Sequence, residues 1–185
     1  MPGKIPIFLG MQKRYYLLGY MGVGKSTLAK RWAKASGLPW HDLDQRLEAE
    51  IQMPISEYIK TRGELAFRKL ERAALANTQS LTGILSVGGG TPCFYDNMQV
   101  MEGLGTTIYL HAGVGFLTKR LQDSALAGNE RPLLAGVPLD GYAEFIGKHI
   151  LERMAFYERA EVRIPVEKED ALEVLLALSA TEKRG

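Results

Sequence analysis

The sequence has too few cysteines for a disulfide or a cysteine-rich zinc site, and it has no long run of apolar residues. Cys93 is the only cysteine, so the chain cannot form an intramolecular disulfide. No stretch approaches the roughly 20 consecutive apolar residues that a membrane helix requires. We therefore expect no membrane partner, and the single cysteine favours a reducing, cytoplasmic location.

A strong excess of charge of either sign is also lacking. The chain has 23 Lys and Arg against 21 Asp and Glu, a formal net charge of +2. Such a small excess does not indicate a nucleic-acid-binding surface, although a local cluster of arginines around an anionic ligand would be hidden in the total. The three histidines, His41, His111 and His149, show no metal-ligand spacing, and we interpret them as structural.

Length and composition indicate one globular domain. The 185 residues are 46% hydrophobic and 24% charged, which is an ordinary mixture for a chain that folds around one core. An apolar stretch near the start is broken by Pro6 and Gly10, so we interpret residues 1–13 as an N-terminal extension of this single domain, 1–185. We expect the protein to be a monomer.

Short apolar runs alternate with helical patterns along the chain. Strands are expected at 15–19, briefly after Pro39, and at 84–87, 106–110 and 162–166. Helices are expected at 28–36, around 47–51, and at 55–61, 64–79, 114–121, 141–159 and 170–178. This alternation predicts an α/β fold with three layers, α/β/α, around a central parallel sheet. The irregular segment 122–139 is predicted to be a loop inserted in the domain, and a candidate mobile lid.

A phosphate-binding motif follows the first predicted strand. Residues 19–26, Gly-Tyr-Met-Gly-Val-Gly-Lys-Ser, match the P-loop pattern of Gly, four residues, Gly, Lys and Ser or Thr. The glycines let backbone N–H groups turn toward an anion, and the following helix adds partial positive charge. Lys25 would reach the β- and γ-phosphates of a bound nucleotide, and the Ser26 hydroxyl would bind Mg²⁺. The alternative is a glycine-rich strand-to-helix turn with an exposed lysine. Nucleotide contacts are also expected from the neighbouring residues Gly22, Val23, Gly24 and Thr27.

The P-loop by itself does not select a reaction, because GTPases, motors and kinases share it. The chain has no Asn-Lys-x-Asp segment for reading guanine, and the strand predicted at 84–87 runs into three glycines instead of the usual Walker B aspartate. The acidic partner must come from elsewhere. Asp42 and Asp44 are two apart on a segment expected to be extended, so both can face one pocket. Asp44 is alternatively placed to cap the next helix.

Five motifs occur in order behind one another, and together they resemble the shikimate kinase family over residues 19 to about 159. They are the P-loop, Asp42-x-Asp44, Phe67-Arg68-x-x-Glu71, Gly88-Gly89-Gly90, and Arg131-Pro132-Leu133-Leu134 with Arg153 beyond it. The resemblance implies a P-loop kinase fold with a mobile lid. It also implies transfer of the γ-phosphoryl group of ATP to the 3-hydroxyl of shikimate, with Mg²⁺, in aromatic amino acid biosynthesis.

The resemblance also assigns roles on the acceptor side of the site. It implies that Asp42 supports Mg²⁺ together with Ser26, and that Asp44 holds the substrate hydroxyls and accepts a proton. Arg68 and Arg153 would bind the shikimate carboxylate, for which a guanidinium offers a matching planar fork. Gly88, Gly89 and Gly90 would bring backbone N–H groups to the ring and its carboxylate. Each arginine could instead be a solvated helix charge or a member of a surface salt bridge.

On the nucleotide side, the resemblance implies that Arg131 closes over the γ-phosphate and acts in catalysis with Lys25 and Asp44. Arg120 matches a family position that packs on adenine, and the alternative is a cation that offsets the dipole at a helix C-terminus.

Two other functions stay open at this point. One is a related P-loop kinase for another small hydroxy acid such as gluconate. The other is a nucleotide-binding regulatory domain that has lost transfer activity, against which the intact Lys25, Asp44 and Arg131 argue.

Overall fold

Five parallel strands form the centre of the computed structural model, which describes residues 14–129 and 131–181. The strands are β1 (Arg14–Leu18), β2 (Trp40–Asp42), β3 (Gly83–Ser86), β4 (Thr106–His111) and β5 (Val162–Pro165). Their order in the sheet is β2-β3-β1-β4-β5, and every pairing is parallel. The predicted parallel sheet is therefore confirmed. The predicted extension at 1–13 lies outside the described residues.

Eight helices connect and cover these strands in the described part of the chain. They are α1 (Lys25–Ser36), α2 (Leu43–Ile51), α3 (Ile55–Arg62), α4 (Glu64–Ala76), α5 (Asn97–Leu104), α6 (Val114–Leu126), α7 (Tyr142–Tyr157) and α8 (Ala171–Thr181). Among residues 14–129 and 131–181, none of the helices combines the length and the apolar character of a membrane span.

The two faces of the sheet are buried in two separate hydrophobic cores. Successive side chains of a strand point to opposite faces, so Tyr15 and Leu17 belong to one core and Tyr16 and Leu18 to the other. The first core contains buried residues of α1, α6, α8 and most of α7, and the second contains those of α2, α4 and α5 and Tyr157 at the end of α7. This arrangement confirms the predicted three layers.

Helix α6 is longer than the sequence pattern suggested. The loop predicted to begin at Gln122 was wrong at its start, because α6 continues to Leu126. The added turn contains neither Gly nor Pro, and Ala125 packs against the core, so nothing stops the helix there. Gly128, with a φ of 81°, follows its end. Between Gly128 and α7, the described residues form single 3₁₀ turns at Pro132–Leu134 and Leu139–Gly141.

Two further differences concern the second core. Helix α5, whose Met98 and Met101 are buried, was not predicted, because Gly103 and Gly105 weaken its short helical pattern. The helix predicted to end at 79 ends at Ala76 and is followed by a 3₁₀ turn.

Candidate active site

A cavity of about 260 Å³ lies at the carboxyl ends of the central strands. Asp42 and Ser86 end neighbouring strands there, β2 and β3, and the P-loop follows β1 beside them. This is the edge of an open parallel sheet, next to the point where strand order reverses, at which ligands bind in such folds. The predicted site residues that line the cavity are Gly22, Gly24, Lys25, Ser26, Thr27, Asp42, Asp44, Gly88, Gly89, Arg120 and Arg131.

The P-loop wraps the start of α1 in a conformation that requires glycine. Gly22 and Gly24 have φ values of 80° and 102°, in the left-handed region that side chains rarely adopt. Lys25 donates to the carbonyl oxygens of Gly19 and Tyr20, at 2.7 and 3.2 Å. Desolvation lowers the pKa of Lys25 to about 8, against the opposing attraction of nearby carboxylates. Val23 is buried in the core and is not among the residues that line the cavity, so its nucleotide contact stays a prediction.

Asp42 joins the P-loop to the start of α2. Its Oδ1 accepts hydrogen bonds from the N–H groups of Asp44 and Gln45, and its Oδ2 accepts one of 2.8 Å from the Ser26 hydroxyl. Asp42 is therefore the helix cap, and the alternative that Asp44 fills this position is wrong. The expectation of one extended segment is also wrong, because α2 begins at Leu43, yet both carboxylates line the cavity.

The oxygen atoms around Ser26 fit a magnesium ion. The Ser26 hydroxyl lies 2.8 Å from the Asp42 carboxylate and 3.3 Å from the Ser86 hydroxyl. Mg²⁺ prefers such hard oxygen ligands, and in nucleotide sites it uses one or two carboxylates together with phosphates and water. Within the described ranges, no group of three or more His, Cys, Asp and Glu side chains is arranged to hold a metal. The donors thus suit an ion whose shell a nucleotide completes.

The environment of Asp44 suits a carboxylate that accepts a proton. Burial raises its pKa to about 6, with further increases from Asp42 and Glu71 and an opposing effect from Lys25. Gly88 lies directly against it, since a Cβ at this glycine would come within 3.0 Å of Asp44 Oδ1. A carboxylate whose pKa is close to neutral is suited to accept a proton from a bound hydroxyl.

Arg68 is enclosed rather than solvated. Its guanidinium lies 2.8 Å from Glu71 and 3.0 Å from Glu64, and its Cζ lies 4.1 Å from the centre of the Phe94 ring. The Thr91 hydroxyl donates to the other oxygen of Glu71, at 2.6 Å. The alternative of a solvated surface charge is therefore wrong for Arg68, whose side chain is only 10% exposed.

The second predicted carboxylate-binding arginine comes from α7. Arg153 is half-buried, and its Cζ lies 6.0 Å from the centre of the Tyr20 ring. A Cβ on Gly89 would lie 3.8 Å from Arg153 Nη1, so the glycine loop and this arginine are neighbours. The predicted substrate-binding residues that do not line the 260 Å³ cavity are Arg68, Gly90 and Arg153. They lie beside Gly89, which lines it.

Two exposed arginines border the nucleotide side of the cavity. Arg120 lies in the middle of α6, and its Nη1 is 3.5 Å from the carbonyl oxygen of Val23. Because the helix continues to Leu126, the alternative role of Arg120 as a C-terminal cation is wrong. Arg131 immediately precedes the 3₁₀ turn Pro132–Leu134, and its charge acts to lower the pKa of Lys25.

Sequence reasoning missed three side chains at this site. Ser86 is a polar residue at the carboxyl end of a buried strand, which is a signal that could have been used. Glu64 precedes Arg68 by four residues, one helical turn, and Tyr157 follows Arg153 by the same interval. No motif distinguishes those two from ordinary helix residues.

Comparison with known proteins gives matches along most of the chain. A family model described as shikimate kinase matches residues 21–180. A shikimate kinase of Parabacteroides distasonis is 41% identical over 157 residues, which cover 84% of this chain and 89% of that relative. The crystal structure of shikimate kinase from Bacteroides thetaiotaomicron is 33% identical, with a TM-score of 0.81, and the match covers 94% of this chain and 99% of that one. Shikimate kinase from Acinetobacter baumannii in complex with shikimate has a TM-score of 0.79 over 94% of each chain, and its 24% identity supports the fold alone.

Proposed function

Because the chain belongs to the shikimate kinase family, we propose that its cavity transfers the γ-phosphoryl group of ATP to the 3-hydroxyl of shikimate, giving shikimate 3-phosphate and ADP. The observation that carries this proposal is the meeting of Asp44 and Lys25 in one cavity, beside the loop Gly88–Gly90. A phosphate-binding cation and a proton-accepting carboxylate are thereby both within reach of a transferring phosphoryl group.

The P-loop holds the nucleotide phosphates in this proposal. Gly22 and Gly24 present backbone N–H groups, and Lys25 exchanges its bonds to the carbonyls of Gly19 and Tyr20 for bonds to phosphate oxygens. Thr27 and Arg120 contribute further nucleotide contacts. Ser26 and Asp42 hold Mg²⁺, which when bound supplies positive charge that neutralises the phosphate oxygens.

Asp44 positions the attacking hydroxyl and accepts its proton. Phosphoryl transfer passes through a loose transition state, so the hydroxyl loses its proton late and positioning supplies much of the rate. The raised pKa of Asp44, about 6, leaves the carboxylate ionised at neutral pH while making it a better proton acceptor than a solvated aspartate.

The carboxylate of shikimate is held by Arg68 and Arg153, with the backbone of Gly88, Gly89 and Gly90 against the ring. The fit of Gly90 against Arg68 supports this role, since a Cβ there would come within 2.7 Å of Arg68 Nη2. A substrate can therefore approach the guanidinium with only backbone beside it.

Arg131 neutralises charge on the γ-phosphate during transfer. Its segment, which starts after Leu126 and runs to about residue 139, acts as the lid. Closure of the lid would exclude water, which otherwise competes with the substrate hydroxyl as acceptor.

We further propose that the chain works as one kinase domain and as a monomer, which light scattering on the purified protein tests directly.

The first experiment measures coupled ADP release with ATP and Mg²⁺ in the presence of shikimate, gluconate or no acceptor. We expect release that depends on shikimate and is reduced about 10²-fold or more by Asp44→Asn. Asp123→Asn, an exposed site on α6, is the matched control and should leave the rate unchanged. Equal release with gluconate would indicate a different acceptor, and release without any acceptor would indicate an ATPase or a regulatory domain.

A further inference from the structure

The guanidinium of Arg68 is enclosed by several neighbouring groups. The Phe94 ring covers one face of its guanidinium at 4.1 Å, and the ring of Phe67 lies 5.1 Å away. Nη1 is held by Glu71, which is only 1% exposed. Gly90 also packs closely against the guanidinium, since an added Cβ would lie 2.7 Å from Nη2 and 3.0 Å from Nη1. The edge that remains, Nε–Nη2, is hydrogen-bonded by none of these groups.

Glu64 occupies that remaining edge. Its Oε1 accepts hydrogen bonds from both Arg68 Nε, at 3.2 Å, and Arg68 Nη2, at 3.0 Å. Unlike Glu71, the Glu64 side chain is 57% exposed, at the first residue of α4. Its carboxylate can therefore rotate into water, whereas that of Glu71 is held between Arg68 and Thr91. The Nε–Nη2 edge also presents two parallel N–H donors, which can bind a carboxylate by two hydrogen bonds.

We propose that Glu64 is an internal competitor of the substrate: its carboxylate occupies the place on Arg68 that the acceptor's carboxylate takes, and it must swing out before the acceptor binds. This inference rests on the proposed function, in which Arg68 binds that carboxylate. In the absence of substrate, Glu64 gives the enclosed guanidinium a second anionic partner, which limits the cost of a desolvated charge. In its presence, the exchange conserves the ion pair and replaces one carboxylate by another.

The competition weakens apparent substrate affinity by the fraction of molecules in which Arg68 is free. The apparent dissociation constant equals the intrinsic constant divided by that fraction. An ion pair one helical turn apart with one exposed partner is formed a few times as often as it is broken. Removing the Glu64 charge should therefore lower the KM for shikimate by about three- to sixfold.

The test compares Glu64→Gln and Glu64→Ala with wild type in steady-state kinetics. Wild type must first show shikimate-dependent turnover; without it the proposed function fails, independently of this inference. With it, we expect KM for shikimate to fall in the order wild type, Gln, Ala, while kcat stays within about twofold. Glu144→Gln, which breaks the exposed Glu144–Lys148 pair on α7, is the matched control and should change neither constant.

The methyl ester of shikimate separates competition from a general structural effect. The ester lacks the negative charge that displaces Glu64, so its affinity should not depend on Glu64. Its inhibition constant, measured in competition with shikimate and calculated with the KM of each variant, should be the same in wild type and Glu64→Gln. An unchanged or increased KM for shikimate in both Glu64 variants would overturn the inference, because Glu64 would then orient Arg68 instead of competing for it. An equal gain in affinity for the ester would overturn it as well.

Discussion

The hydroxyl of Tyr157, at the end of α7, donates a hydrogen bond of 2.6 Å to the carbonyl oxygen of Gly89. The Tyr157 side chain is fully buried, and its ring stacks on that of Tyr109 at 4.9 Å. Arg153 lies one helical turn earlier on α7, next to the same glycine. One helix therefore both carries a proposed carboxylate-binding arginine and fixes the orientation of a peptide in the glycine loop.

We expect Tyr157→Phe to weaken shikimate binding. The change removes one buried hydrogen bond, worth about 1 kcal/mol, and frees the Gly89 peptide to rotate, so KM for shikimate should rise about fivefold while KM for ATP stays constant. Steady-state kinetics with each substrate varied in turn measures this. Tyr109→Phe is the control, because it retains the Tyr157 hydroxyl. Parallel increases in both KM values would contradict a specific role of the glycine loop.

The pH dependence of the reaction should report the ionisation of Asp44. Because the carboxylate form accepts the proton and its pKa is raised to about 6 by burial and by Asp42, kcat/KM for shikimate should be constant near neutral pH. Below about pH 6 it should fall, approaching tenfold per pH unit. Initial rates between pH 5 and 8 test this, with circular dichroism confirming that the fold persists. A flat profile over that range would argue against a proton-accepting Asp44.

The ionised Asp44 carboxylate should lower the free energy of unfolding, and replacing it by a neutral side chain should raise that free energy. The pKa of Asp44 is higher in the folded protein than the usual 3.8, so folding favours the protonated form and the ionised form is penalised. The penalty grows as pH rises from about 4 to about 6 and is then constant. Asp44→Asn should thus raise the free energy of unfolding by about 1–3 kcal/mol at pH 7–8, with a smaller gain at pH 5.

Urea denaturation of both proteins at the two pH values checks the stability prediction. A gain in stability in the same variant that loses activity would identify a strained functional group, since mutations that merely damage the fold lower both. If Asp44→Asn destabilises the protein at pH 8, the ionised carboxylate is a net stabilising group and the sign given above is wrong.

A single methyl group at Gly90 should separate acceptor binding from nucleotide binding. The Cβ of Gly90→Ala would lie 2.7 Å from Arg68 Nη2, too close for the guanidinium to keep its position. We expect the dissociation constant for shikimate to increase about tenfold or more, while that for ATP stays within about twofold. Isothermal titration calorimetry with each ligand measures both effects.

Gly147→Ala on α7 is the matched control for this change. Its Cβ would meet nothing within 4 Å, so only the helix propensity changes, and the variant should be more stable by up to about 1 kcal/mol with unaltered kinetics. Normal shikimate affinity in Gly90→Ala would show that Arg68 can move aside without cost, which would contradict its role as a rigid carboxylate anchor.

The features recovered from the sequence are those that neighbouring residues determine. The P-loop was recognisable because its glycines and Lys25 act within eight consecutive positions, and the strands were recognisable because buried parallel strands are continuous apolar runs. The predictions that were wrong concern local geometry, such as which residue caps a helix. Asp44 was the alternative candidate for the cap of α2. Asp42 and Asp44 are two residues apart and both carry carboxylate oxygens, so only the hydrogen bonds to the backbone identify Asp42 as the cap.

The sequence by itself determined the class of fold, the phosphate-binding loop and the family, because these depend on short patterns and on their order along the chain. Only the tertiary structure decided which groups meet: Tyr157 and Gly89 are 68 positions apart, and Glu71 and Thr91 are 20 apart. Even between Arg68 and its helical neighbours, spacing alone could not tell the exposed Glu64 from the buried Glu71. The burial of a charged side chain and the positions of its partners are set only when helices and loops pack. These two factors decide whether the side chain stays in an ion pair, changes partner or has a shifted pKa.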